Sequence, residues 1–109
     1  MKRPNLTRKL IVEAPVRVPD GGGGYIENWA VLGEVWGEVV TRGAGREVET
    51  ASRLQLKITV RAAPQGAASR PGPGMRFRDG VRVFEIEAVT ESDPSGRFLI
   101  CFANEEVGA

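Results

Sequence analysis

The sequence has no histidine and a single cysteine, Cys101, among its 109 residues. Without histidine the commonest general base, the usual metal ligand and every Ser-His or Cys-His nucleophile pair are gone. One cysteine makes no internal disulfide and no cysteine-based zinc cluster. There is no Walker phosphate loop and no paired acidic motif. Only carboxylate chemistry remains conceivable, so the chain reads as a non-enzyme with no cofactor and no metal. Long apolar runs are also missing, and Met1–Lys9 is basic and polar without the apolar core of a signal segment. No membrane partner is expected. Charge of one sign is not in excess: fifteen Lys and Arg face fourteen Asp and Glu, for a net charge of +1. That balance predicts no general pull toward nucleic acid or anionic membrane. Twelve of the fifteen basic residues are Arg, which fits a GC-rich genome.

What is present is period-two alternation. Leu10, Val12, Ala14, Val16 and Val18 share one face of a first strand, with Glu13, Pro15 and Arg17 on the other. Pro15 cannot donate to a ladder and suggests an edge or a bend. "AVLGEVWGEVV" reads as a long second strand. Val31, Gly33, Val35, Gly37 and Val39 share one face, and Leu32, Glu34, Trp36, Glu38 and Val40 the other. Glycines four apart on one strand face suit a tight bend or a close backbone approach, both common where a small sheet curls into a barrel. "LQLKITVRA" is the cleanest strand, with Leu54, Leu56, Ile58, Val60 and Ala62 inward. "MRFRDGVRVFEIEAV" reads as two strands joined at Asp79-Gly80, a strong hairpin signal. A change of apolar parity from Val81 and Val83 to Phe84, Ile86 and Ala88 predicts a β-bulge there. "RFLICFA" closes the sheet, with Phe98, Ile100 and Phe102 on one face.

The expectation is an all-β, single-domain β-barrel of about six strands over residues 1–109. It has long loops and at most a short helical turn, within "REVETASR". Residues 1–8 read as a loose N-terminal arm, 41–53 as an exposed excursion and 63–74 as a flexible Pro/Gly loop. The run Gly21–Gly24 lies between the first two strands, just before Tyr25 and Trp29. One reading is a hairpin tip that merely tolerates glycine. The other is a mobile finger that orders on a partner, with Tyr25 and Trp29 as anchors. Trp29 by itself reads as an ordinary core tryptophan.

The order of these features carries a resemblance. "RKLIVEAP" is followed by the glycine turn, then Trp29, then Trp36-Gly37-Glu38, then Gly45-Arg46-Glu47. Arg61, Met75-Arg76 and Asp79-Gly80-Val81-Arg82-Val83-Phe84-Glu85-Ile86 follow. From about Arg8 to Glu105 the chain resembles the head-tail joining, or head-completion, proteins of tailed bacteriophages, also called adaptor or stopper proteins. It departs from them at Gly37, where an alanine is common, and in its long proline-rich loop.

The resemblance implies a structural virion component of a phage or gene transfer agent particle, made in the bacterial cytoplasm and placed in the particle's neck. Such subunits form a ring in the head-tail connector, here expected to be dodecameric. A portal or adaptor ring lies above and a tail terminator or tail tube below. The ring closes the DNA-filled head and offers the tail its docking surface. In the family the excursion between the second and third strands points into the channel, which here is Thr41–Arg53. Arg42, Arg46 and Arg53 would then meet phosphates of packaged double-stranded DNA. Glu47 and Glu49 would pair with the next subunit, and Gly21, Gly22, Gly23, Gly24 and Tyr25 would form a partner-docking loop. A solvated loop with incidental charges is the competing reading of 41–53. The isolated subunit is expected to be a monomer or weakly associated and to form its ring only on the particle, because its excursions carry little apolar surface.

Two rivals stand beside this. One is a small OB-like nucleic-acid-binding barrel, for which the strand faces offer Lys57 and Arg61 but no aromatic row. The other is a different connector subunit such as a tail terminator, a mixed α/β class that would need a long helix.

Overall fold

The computed structural model describes residues 3–42, 53–63, 67 and 69–106. They form six strands: β1 (Arg8–Pro19), β2 (Tyr25–Thr41), β3 (Arg53–Arg61), β4 (Arg76–Asp79), β5 (Arg82–Glu91) and β6 (Phe98–Glu106). Every pairing is antiparallel, and the strands close into a barrel in the order β1-β2-β3-β6-β5-β4. No helix occurs among the described residues. The "REVETASR" segment lies outside them except for Arg53, which opens β3.

Alternation decides what enters the barrel. Leu10, Val12, Leu56, Ile58, Val60, Phe77, Phe84, Leu99 and Cys101 are fully buried, and Ile86 and Ala103 nearly so. Each large apolar side chain buried this way contributes about 1.5–3 kcal/mol. In β6 the inward set is Leu99, Cys101 and Ala103, which leaves Phe98, Ile100 and Phe102 on the outer wall. Gly37 sits where β2 is pressed against the core. A Cβ there would lie 3.0 Å from Leu10 Cδ1 and 3.1 Å from the Thr59 carbonyl oxygen.

Two bulges adjust the register: the one expected in β5 is present, somewhat beyond the parity change, and one in β2 was not expected. In β2, Gly33 pairs with Val12 and Val31 with Glu13, so Leu32 is the extra residue. The bulge turns Val31 outward, 59% exposed, and lets Leu32 pack on the core. In β5 the irregularity lies between Ile86 and Ala88, three residues after the expected switch. The apparent switch at Val81 has a simpler cause. Asp79 pairs with Arg82, so Gly80 and Val81 are the hairpin tip. Gly80 has a φ of 64°, and Val81 is 97% exposed.

β1 and β2 outrun the barrel. β4 covers β1 only at Ile11–Glu13, and β3 covers β2 only from Gly37 onward. Beyond those points Pro15–Pro19 and Tyr25–Asn28 form a two-stranded ribbon that is exposed throughout. The molecule accordingly measures 54 × 38 × 22 Å.

Candidate functional site

The glycine run is the tip of this ribbon. The Asp20 N–H donates to the Gly24 carbonyl at 3.1 Å. Asp20 Oδ1 accepts the N–H groups of Gly22 at 2.8 Å and Gly24 at 3.0 Å. These backbone donors hold the Asp20 carboxyl below its ordinary pKa. Gly21 and Gly23 have φ values of 88° and 90°, a region that strains any residue with a Cβ. At Gly24 a Cβ would stand 2.8 Å from Asp20 Oδ2. Glycine is therefore required at Gly21 and Gly23, a side chain at Gly24 would displace the Asp20 carboxylate, and Asp20 organises the turn.

Tyr25 follows immediately, 62% exposed, with the Arg17 guanidinium 5.2 Å from its ring centroid. Trp29 is not a core residue. It is half-buried on the outer face, with the Arg76 guanidinium carbon 3.9 Å from the ring centroid.

That arginine belongs to a cluster that sequence reading missed. Glu13 is only 4% exposed, although it faces away from the barrel core. Arg76 Nε donates to its Oε1 at 2.7 Å and Arg78 Nε to its Oε2 at 2.9 Å. Burial pushes the Glu13 carboxyl up, but the hydrogen bonds and charges of the two arginines outweigh it. The pKa lies below the ordinary value. The signal was available: Arg76 and Arg78 share one face of a four-residue strand and need a carboxylate between them. A second clamp joins Arg82 to Glu105 through two hydrogen bonds, at 2.8 and 2.7 Å. Those bonds lower the Glu105 pKa against its burial. Arg8 and Asp79 form an ion pair nearby.

The proposed channel residues lie at the far end of β2. Arg42 is exposed just beyond Thr41. Its N–H donates to the Gln55 carbonyl at 2.8 Å, and its guanidinium lies 4.7 Å from the Phe102 ring centroid. Arg53 is exposed at the start of β3, in register with Glu106. Both flank the segment 43–52, so they share one end of the barrel. Arg46, Glu47 and Glu49 lie outside the described residues. The seventeen residues of β2 separate this end from the glycine tip, a distance of roughly 50 Å at strand rise. The molecule therefore has two poles, one arginine-bearing and one glycine-rich.

Between the poles, the outer wall corrects one expectation. Lys57 and Arg61 do have aromatic neighbours: Phe102 is in register with Lys57, and Phe98 with Arg61. The rings are half-buried, and the chain's own arginines cover them, Arg61 at 5.5 Å from Phe98 and Arg42 on Phe102. Residues Arg3–Leu6 run beside this wall, and the Asn5 N–H donates to Glu38 Oε2 at 3.3 Å. Among the described residues no group of three or more His, Cys, Asp or Glu could hold a metal ion.

The phage head completion protein model matches residues 1–107. The chain belongs to that family. It is a structural component of a virion head, and the family is not one of enzymes. The chain is also similar to one in the solved virion of a native gene transfer agent particle. The two share 50% identity with a TM-score of 0.82, over 98% of this chain and 100% of the other. No curated protein matches it.

Proposed function

We propose that this head completion protein forms a ring in the neck of a phage or gene transfer agent particle. The ring sits below the portal or adaptor, closes the DNA-filled head and presents the surface on which the tail docks. The observation that carries the reading is the two-pole geometry of a rigid barrel. The arginine pole, with Arg42 and Arg53 flanking residues 43–52, turns toward the channel axis. The ribbon pole turns toward neighbouring proteins. The likeness to a chain of a gene transfer agent virion supports a place in such a particle.

Ring symmetry gives the arginines their effect. The chain is almost neutral, but a few arginines per subunit, repeated around a dodecamer, make a continuous belt of positive charge facing phosphate. Glu47 and Glu49 supply the contacts between adjacent copies of the segment. The test is the triple substitution of Arg42, Arg46 and Arg53 by Gln. Exposed substitutions change stability by about 0.5 kcal/mol or less, so the monomer should fold normally. The particles should leak DNA or fail to join tails. Full, tailed and infective or transducing particles at normal titre would refute the channel role.

A further inference from the structure

The ribbon has two edges, and they are not alike. Asp20 donates to Gly24, which sets the alternation of the hairpin ladder. Val18 with Ile26, Val16 with Asn28 and Ala14 with Ala30 are then the hydrogen-bonded pairs. The intervening residues point their N–H and C=O groups away from the partner strand. On β1 these are Pro15, Arg17 and Pro19, and both prolines lack the N–H. That edge is closed to strand pairing, a common protection of exposed edges. On β2 the outward residues are Tyr25, Glu27, Trp29 and Val31, with no proline among them. Among the described residues nothing pairs with this edge: β2 meets β3 only from Gly37 onward, and no other backbone hydrogen bond reaches Tyr25–Val31.

The side chains beside the open edge are mostly apolar, apart from Glu27 and Asn28. Ile26 is 55% exposed and shares a face with Val16 and Val18, and among the described residues no layer packs over them. The opposite face carries Tyr25, Trp29 and Val31, and Glu27 is its one charged residue on this stretch of β2. We infer that Tyr25–Val31 of β2 is a strand-addition site for an extended segment of a different virion protein. That segment is apolar on the face beside Val16, Val18 and Ile26 and free of proline; Glu27, on the other face, already lies in register with Arg17. The inference rests on the neck assignment above.

Backbone chemistry selects the occupant. A row of alternating donors and acceptors is matched by another extended chain and not by nucleic acid. A second copy of this protein fits less well. Its β1 edge is closed by the same two prolines, and the stretch of β5 that β4 leaves uncovered, Ala88–Glu91, follows Glu85 and Glu87 and ends in another acid. Self-pairing of two β2 edges is a twofold contact that closes at a dimer, whereas a ring around a channel is built head to tail. A seven-residue edge also buries far less than the roughly 800 Å² per partner of a stable complex. It therefore works where other contacts already hold the partner close.

Two matched variants test this. Glu27→Pro and Arg17→Pro each delete one outward N–H, on opposite edges of the ribbon, without touching the ladder between the strands, and each is read against the alanine variant at the same position, which keeps the N–H but loses the side chain, including the Arg17 guanidinium beside Tyr25. Glu27→Pro should lower the titre of infective or transducing particles at least a hundredfold, and Arg17→Pro less than threefold. In intact wild-type particles, hydrogen exchange at the amides of Tyr25, Glu27, Trp29 and Val31 should be at least a hundredfold slower than in the isolated chain. Equal titres for the two variants would overturn the inference. So would unchanged exchange in particles that contain the protein, which leaves the neck assignment intact. Protection of the same amides in a dimer of the isolated chain would reassign the edge to self-association. Should Glu27→Pro fail to fold, the wild-type exchange rates decide alone. Absence of the chain from purified particles would remove the neck assignment and the inference together.

Discussion

Glu13→Gln should destabilise the protein far more than its place on an outer face suggests. The carboxylate is almost fully enclosed and accepts one hydrogen bond from each of Arg76 and Arg78. Charge-assisted bonds of this kind contribute about 1.5–3 kcal/mol each, and breaking a fully buried pair costs about 3–5 kcal/mol. Here the arginine side chains remain 22% and 35% exposed, so water reaches them when the carboxylate is lost. A loss of about 2–3 kcal/mol follows, because glutamine keeps one acceptor and turns its amide N–H₂ against the second guanidinium. In a domain of this size that lowers Tm by roughly 10–20 °C. The pH dependence checks the cause. The folded pKa of Glu13 is depressed, so its stabilisation is complete above the unfolded value of about 4.3 and fades as pH falls through the folded value. The gap between wild type and variant should therefore be widest at neutral pH and narrow toward pH 3. Urea denaturation at low salt measures both, since guanidinium chloride would screen the cluster. A loss under about 0.5 kcal/mol at neutral pH, or a gap that does not change with pH, would show that the cluster is ornamental.

Leu56→Asp should abolish folding, because it places an unpaired carboxylate at a position only 1% exposed; a cooperative thermal transition with native strand content would contradict this. Cys101 is buried and its thiol is pushed up to about 12 by burial, so a thiol reagent at pH 8 should modify it only after denaturant is added. Gly23→Ala should cost about 1–2 kcal/mol for the left-handed backbone. Gly22→Ala, with its nearest contact an ordinary 3.7 Å, should cost little, so equal melting temperatures for the two would refute the reading of the tip.

The barrel was legible wherever one strand face met the core along its length. Leu56, Ile58 and Val60 could be assigned from alternation alone because β3 is paired on both sides over most of its span. The tight approach at Gly37 was legible for the same reason. Alternation failed where the strands leave the barrel. Val16 and Val18 continue the inward parity of Leu10 and Val12, but among the described residues no facing layer covers them. No periodicity reports the length of the neighbouring strand, and here β4 stops at Glu13's level. Trp29 was misjudged because its cover is a guanidinium from β4, 47 positions away, rather than an apolar layer. Glu13 was missed because a charged residue on an outward parity reads as solvated unless both arginines are placed over it. Of the candidate site, the two poles follow from the length of β2, whereas the open edge follows only from the ladder that Asp20 starts.

The order of strands around the barrel also governs how the chain can fold. β6, last in sequence of the six, lies between β3 and β5, and β4 must return to β1. Neither closure is local: Glu13 meets Arg76, and Arg53 meets Glu106. Topologies dominated by such pairings fold in milliseconds to seconds rather than microseconds. During synthesis the early strands can form only the β1–β2 ribbon and an open, curling sheet. The wall stays incomplete until β6 has been made. The ribbon, the one long hairpin of neighbouring strands, is thus the part able to form first, and its outer β2 edge is exposed from that moment. The two prolines of β1 halve the number of edges on which a half-made chain could pair wrongly with another.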